Sequence, residues 1–438
     1  MAKIAQLEFF GWEEVENLGD LERLKLVIET IPDEKLMQTL EKVRGKGRND
    51  YPVRAMWNSV LAGVVFEHRS VNSLIRELRR NAQLRELCGF DLFRAAPGKS
   101  AYNRFLSSLI KHQAELDEMF RSLVEELMKL LPDFGKDLAV DGKNLKSLAN
   151  KTSSKKGDLR GEHDADWGKK KKKGLRKDGT TWEKVTEWFG FRLHLISDAK
   201  YELPVHFEVT KASCSEVKVA EKLTEELSQK HPDLVERSEH FMADRGYDST
   251  KLINKLWDQY HIKPVIDIRK MWKDGEVSRT IDHPKFTNIC YNQRGVVTCH
   301  CPKTGEVKEL AYKGFEEKRD ALKYQCPMKA YGMSCPGAKQ CPVKNTVRIP
   351  RSLDRRIFTP LPRSTYKWGR LYKMRTSIER INSRIDESFG FEKHFIRGLS
   401  KMKFRMGLAL TVMLTLAVGR IRSKQEHLTH IPQVSVES

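Results

Sequence analysis

Several absences narrow the reading of this 438-residue chain before any motif is considered. No apolar run is long enough to span a bilayer. The longest, residues 406–418 (MGLALTVMLTLAV), falls short of the ~20 residues needed and has Lys and Arg at both ends. A buried core helix is expected there, with no membrane association. The first twenty residues carry acids and no useful apolar core, so no secretory signal is expected. Eight cysteines without such a signal point to a reducing compartment, where burial or metal binding is favoured over disulfides. No Cys-x2-Cys pair and no internal repeat occur. Acids are scarce beside bases, with 59 Asp and Glu against 80 Lys and Arg, for a net charge of +21. At 39% hydrophobic and 32% charged, the composition excludes general disorder. The length suits two or three domains of ~100–200 residues each.

The positive charge is concentrated. Residues 143–177 carry +9 and residues 366–424 carry +10, together 19 of the 21. Two basic segments point to a polyanion, nucleic acid first, because neutralising phosphates releases counterions. Solvated loops and helix faces are the plainer alternative. The run Lys169, Lys170, Lys171, Lys172 and Lys173 is expected to be a mobile loop along DNA phosphates. Arg76, Arg79, Arg80 and Arg85 fit either DNA-end recognition or a solvated helix face.

Residues 1–135 read as helical. Residues 21–31, 34–43 and a segment opened by Pro52 carry helical apolar spacing. Residues 71–87 read as one helix with Leu74, Leu78, Leu84 and Leu87 on a stripe and Ser70 as its cap. A further helical stretch runs from Gly98 to Pro132. Beyond it the pattern becomes strand at 138–141, 189–196 and 204–209, helix at 215–228, strand at 241–243, helix at 252–260 and strand at 263–268. That order predicts an α/β core with mixed pairing. Regularity fails over 272–362, which holds six of the eight cysteines and is too polar to suggest a core of its own. Helix resumes near Gly369 through 374–389, and again over 402–421. The expected division is a helical domain over 1–135, the first part of an α/β core over 136–270, a cysteine-rich insertion over 271–362, core-completing helices over 363–425, and a tail over 426–438.

Two acids close apolar strands, Asp141 in LAVDGKN and Asp244 in HFMADRGYDS. A third, Glu379, lies in YKMRTSIERINSRID. Singly, each has an ordinary explanation: an Asp after a strand is usually a turn or cap residue, and Glu379 has Arg375 four residues before it. Together, strand-end carboxylates at a sheet rim, with a helix adding one more, suit hard divalent cations that also accept substrate phosphate oxygens.

LAVDGK, MADRGYDS, the helical segment YPVRAMWNSVLAGVVFEHRSVNSLIRELRRNAQLRELCGF, and Tyr372, Arg375 and Glu379 make the specific match. The chain resembles bacterial insertion-sequence transposases of the acidic-triad (DDE) class, whose core is ribonuclease-H-like. The resemblance implies an α/β fold with an all-helical N-terminal domain for DNA binding and dimerisation, and catalysis by the core. It implies Mg²⁺ or Mn²⁺ held by Asp141, Asp244 and Glu379, strand cleavage at element ends, and 3′-OH transfer into target DNA. It implies terminal inverted repeats and target duplex as partners, a homodimer that brings two ends together, and a bacterial cytoplasmic, nucleoid-associated setting. Tyr372 and Arg375 would position phosphates. The family's Tyr-x2-Arg-x3-Glu-x6-Lys signature breaks at its last member, where Asp386 stands instead of Lys. Arg384 or Arg380 is the expected substitute for that DNA contact. Tyr372, Arg375 and Glu379 are expected on one helical face. An inactive DNA-binding descendant and a metal-dependent nuclease are the alternatives.

Cys301, Cys326, Cys335 and Cys341 are each followed by Pro. Four thiolates would suit a tetrahedral structural Zn²⁺, and free packed thiols are the alternative. Cys88 and Cys214 are isolated and expected to be buried. Trp182, Trp188, Trp257, Trp272 and Trp368 are expected in the core, with one available to stack on an extruded base. His68, His194 and His206 read as packing residues.

Overall fold

A computed structural model describes residues 10–45, 50–149, 161–176, 178, 180–283, 285–343 and 345–429. The chain order begins with helices α1 (Glu13–Glu16), α2 (Asp20–Thr30), α3 (Glu34–Arg44), α4 (Val53–Val65), α5 (Val71–Arg80), α6 (Ala82–Cys88), α7 (Lys99–Lys111) and α8 (Gln113–Leu130). Then come β1 (Asp137–Lys146), β2 (Asp166–Leu175), β3 (Thr181–Asp198), β4 (Leu203–Lys211), α9 (Glu216–Lys230), α10 (Pro232–Arg237), β5 (His240–Ala243), α11 (Thr250–Asp258) and β6 (Lys263–Ile266). Short strands β7 (Ser278–Thr280), β8 (Ile289–Asn292), β9 (Val297–His300), β10 (Val307–Glu309), β11 (Ala311–Glu316) and β12 (Ala321–Gln325) follow. The chain continues with α12 (Pro327–Tyr331), β13 (Thr346–Pro350), α13 (Tyr366–Met374), α14 (Ser377–Glu387) and α15 (Leu399–Thr429). The fold is mixed α/β with an N-terminal helical region, as the sequence pattern predicts.

The chain forms two compact units. The first comprises residues 1–134, 142–215 and 378–438. Its helices pack around α15, which meets α1, α2, α4, α7 and α8 along its length and β4 of the same unit. Leu399–Lys424 is long and apolar enough to cross a membrane, yet 89% of its most apolar window is buried against this unit. Residues 406–418 are therefore a core helix. Two expected helices are interrupted. Residues 71–87 split at Asn81, whose side chain turns to accept the Leu84 N–H and restarts the helix as α6. The stretch before Pro132 splits at His112. Ser70 caps α5 as expected, accepting from the Ser73 N–H at 3.2 Å. In the same unit β3 pairs antiparallel with β2 on one side and β4 along its second half.

The lysine run is not a loop. Lys169–Lys173 lie on β2, and β3 begins at Thr181, well before the strand expected at 189. Both strands are polar on both faces over this length, so the alternation that signals a half-buried strand is missing.

The second unit comprises residues 135–141 and 216–377. The first half of β1, β5 and β6 run parallel, with α11 and α13 packed on β6. The cysteine-rich stretch does have regular structure and a core. Strands β7–β10 and β11–β13 make two small antiparallel sheets. Ile289, Tyr291, Val297, Leu322, Tyr324, Val347, Ile349 and Phe358 close over one another. The strands are three to six residues long and their apolar positions widely separated in sequence, which hid this core from a search for periodicity.

Candidate active site

Parallel pairing sets the site. β1 and β5 are in register from Asp137–His240 to Ala139–Met242. Carrying that offset of 103 two residues further puts Asp141 opposite Asp244. β5 and β6 are in register to Ala243–Ile266, so the next pair is Asp244 with Asp267. β1 runs on to Lys146, so Asp141 lies within its strand and not at the end that the sequence pattern predicts, whereas Asp244 and Asp267 directly follow the carboxyl ends of the parallel strands β5 and β6. This is where open α/β sheets present ligand sites.

The three acids differ in what they already hold. Asp267 is committed: its Oδ2 accepts from Arg245 Nη2 at 2.7 Å and Nε at 3.1 Å, and its Oδ1 from the Ile268 N–H. Asp244 caps a short 3₁₀ turn, Arg245–Tyr247, accepting the Gly246 N–H on Oδ1 at 2.6 Å, which leaves its second oxygen for a ligand. A Cβ on residue 246 would lie 2.6 Å from that Oδ1, so the turn requires glycine. Tyr247 is buried beneath the turn. Asp248, with no exposed side-chain surface, accepts from Arg356 Nε at 2.9 Å and from the Arg269 N–H at 2.8 Å. Ser249 caps α11. Each residue of the ADRGYDS motif thus has a local task, and only Asp244 faces outward with an oxygen to spare.

α13 packs on β5 and β6. Tyr372, on α13, stacks on Trp368 with ring centroids 4.7 Å apart and lies beneath the Arg375 guanidinium at 5.8 Å. Burial raises the Tyr372 phenol above its usual range; Asp267 and Asp244 raise it further, and Arg375 and Arg245 pull it back. It stays a protonated hydroxyl donor near the acids.

Glu379 belongs to the other unit, exposed on α14. Tyr372, Arg375 and Glu379 do not share one continuous helix, because α13 ends at Met374 and α14 starts at Ser377, with a turn at Arg375 and Thr376. Within its own unit, α14 buries Ile378, Ile381 and Ile385 and keeps Glu379 and Asp386 off that stripe. Arg384, the expected substitute for the missing lysine, is engaged within the protein. Its guanidinium is bound to Glu202 at 2.7 Å and lies 4.5 Å from the Trp12 ring centre, with its side chain 15% exposed. Arg380 also binds Glu202. A lysine does reach the signature position from elsewhere: Lys143 Nζ donates to Asp386 Oδ2 at 2.5 Å.

Carboxylate oxygens from Asp141 within β1 and Asp244 just past β5 suit a hard divalent cation. Among the described residues, no three His, Cys, Asp or Glu side chains are grouped to hold a metal ion. The second unit contributes a pair of acids, with Asp267 withdrawn by Arg245.

Cys301, Cys326, Cys335 and Cys341 line one small pocket of the second unit, joined by Cys299 and His300. Hydrogen bonds from Thr304 and from the N–H groups of Thr304, Lys303 and Gly337 bring the Cys301 thiol down to about 6. Burial, with Cys326, Cys341 and Cys335 nearby, pushes Cys299 up to about 11. The spacing of the cysteines suggested four; the fold adds Cys299, two residues before Cys301. Cys88 is buried as expected, and Cys214 is only half-buried.

The sequence reading missed Asp267 and Arg245. The strand expected over 263–268 contained Asp267, so nothing marked it as a strand-end acid.

Residues 134–415 match the family model described as a transposase DDE domain, and residues 13–108 match one described as a transposase domain (DUF772). No curated protein matches. A cryo-EM structure of a piggyBac transposase synaptic complex with hairpin DNA is 11% identical, with a TM-score of 0.37, covering 96% of this chain and 84% of that one.

Proposed function

Because the chain belongs to the transposase DDE-domain family, we propose that it cuts DNA at the ends of a mobile element and joins the freed 3′-OH to target DNA. In this reading Asp141, Asp244 and Glu379 hold Mg²⁺ or Mn²⁺. The observation that supports it is the parallel register of β1 and β5, which runs to Ala139–Met242, two residues before Asp141 and Asp244. Bound divalent ions would supply an activated attacking oxygen and stabilise the leaving one.

The chain's own residues do the rest. Gly246 fixes one oxygen of Asp244 and so aims the other. Arg245 holds Asp267 away from ligand duty while leaving a guanidinium near the acids. Tyr372, braced by Trp368, offers a hydroxyl donor, and Arg375 a cation, to phosphate oxygens of the cut strand. Two ends must meet, which calls for two copies of the chain. Cys301, Cys326, Cys335 and Cys341, with Cys299 as the alternative fourth, would hold a structural Zn²⁺ that ties the insertion's sheets together.

The test is incubation of the protein, Mg²⁺ and a duplex carrying the DNA that flanks the gene. Strand cleavage followed by joining is the expected result. Asp141→Asn is expected to bind the duplex and not cut it. Normal cutting by that variant would overturn the triad. Cleavage without joining would make the protein a nuclease, and binding alone an inactive descendant.

A further inference from the structure

β2 and β3 pair over ten positions, from Asp166–Gly190 to Leu175–Thr181. At ~3.3 Å per residue the ribbon is ~33 Å long, about one turn of duplex DNA. Its base is secured. Asp166 accepts from the Ser213 N–H and hydroxyl, and the buried Trp188 ring covers Gly168, where a Cβ would meet it at 2.3 Å. Beyond the base, Thr181 and residues 183–187 are exposed on both faces of the strand. A two-stranded ribbon without a covering layer gains little from its own packing, and this one does not bury its far end.

Directly paired residues share a face. One face carries Lys169 opposite Glu187, Lys171 opposite Val185 and Lys173 opposite Glu183. There Lys169 lies 2.6 Å from Glu187 and Lys171 3.4 Å from Glu183. The other face carries Lys170 opposite Thr186 and Lys172 opposite Lys184, with no acid between Gly168–Trp188 and Gly174–Trp182. Lys170 and Lys184 have no ion-pair partner among the described residues. The ribbon separates its charge: one side is largely neutralised from within and the other is left cationic.

We propose that this ribbon is an arm that lies in a groove of duplex DNA, with the face that carries Lys170 and Lys184 against the phosphates. The major groove, ~12 Å wide, admits a two-stranded ribbon. Lys170 and Lys184, on one side and without an acid opposite either, match a regular polyanion better than a protein surface of mixed charge. The inference rests on the transposase reading for its ligand and adds the surface and the side that engage it.

The experiment is fluorescence anisotropy on the flanking-DNA duplex in EDTA, which prevents cutting, over a series of salt concentrations. For Lys170→Ala/Lys184→Ala, the slope of log affinity against log salt should flatten by about 2, and affinity at moderate salt should fall ~10-fold or more. Lys170→Arg/Lys184→Arg should retain the wild-type slope. The variant Lys169→Ala/Lys171→Ala/Glu183→Gln/Glu187→Gln removes two lysines and two acids from the opposite face without changing net charge and should flatten the slope far less. A slope change as large in that variant, or none in the first, overturns the proposal. So does loss of self-association in the first variant with its DNA slope intact. A wild-type protein that binds no duplex would instead sink the transposase reading, while Asp141→Asn binding with an unchanged slope shows that arm and triad are separable.

Discussion

Lys143 and Asp386 form an ion pair at 2.5 Å between a residue two positions beyond Asp141 and one seven positions beyond Glu379. At ~1.5 Å rise per residue, Asp386 lies ~10.5 Å along α14 from Glu379, two turns on and on the same side. The family signature asks for lysine at that helical position. Here the helix supplies the acid, and β1 supplies the lysine.

Lys143 is 12% exposed and Asp386 34%, so the pair is only partly screened. Each single removal, Lys143→Ala or Asp386→Ala, should cost about 1 kcal/mol, and a double-mutant cycle should give a coupling energy of similar size. The exchange Lys143→Asp/Asp386→Lys should recover most of the lost stability and place lysine at the signature position. Urea midpoints of the four proteins decide it. A coupling energy of zero would show that the contact contributes nothing.

Asp248 shows how a motif residue can serve folding alone. Its carboxylate is wholly buried and held by Arg356 and the Arg269 N–H. Asp248→Ala would strand a guanidinium whose side chain is 16% exposed, at a cost of about 3–5 kcal/mol. Thermal melts should show that loss, while DNA cutting per folded molecule should stay well above that of Asp244→Asn. Equal loss of cutting in both variants would place Asp248 in the chemistry.

The legibility of the site follows from the same contrast. Asp141 and Asp244 could be read because each ends a short apolar run, although only Asp244 follows the end of its strand, while β1 continues past Asp141 to Lys146. Asp267 could not, since Ile268 after it prolongs the apolar pattern past the strand's real end at Ile266. The lysine strand was illegible for a different reason: β-propensity tracks a half-buried surface, and the outer half of β3 has no buried side. The break at Arg375 was hidden because α13 and α14 both continue helical spacing, and no Gly or Pro marks the turn between them.

His194 makes the fold sensitive to acid. It is buried on β3, with Nε2 2.9 Å from the Thr210 hydroxyl, and burial lowers its imidazole to about 3. The unfolded chain protonates this group near the ordinary ~6.5 and so binds more protons than the folded one between the two values. Stability from the neutral imidazole is therefore complete above ~6.5 and declines as pH falls towards 3. Burial lowers His68 and His394 as well, which adds to the trend. His194→Gln should flatten the fall in urea midpoint between pH 6.5 and 5, above the range where ordinary carboxylates titrate. An unchanged slope would mean that His194 is not neutral and buried as its surroundings indicate.

The cysteine pocket yields the last prediction. Cys301 sits in a Cys-Pro-Lys-Thr-Gly turn whose N–H groups point at its sulfur, and Cys326 opens α12 through Pro327. With Cys335 and Cys341 they approach from four different segments, so a tetrahedral ion would cross-link strands that otherwise share only a thin apolar core. Purified protein should carry about one zinc per chain by elemental analysis. A strong chelator should lower the melting temperature of the second unit, and Cys335→Ser should do the same without a chelator. If Cys299 is the fourth ligand in place of Cys341, Cys341→Ser should keep its zinc while Cys299→Ser loses it. A zinc content near zero in protein purified without chelator would leave these thiols as packing residues, with the sheets held by the apolar cluster around Ile289, Leu322 and Ile349.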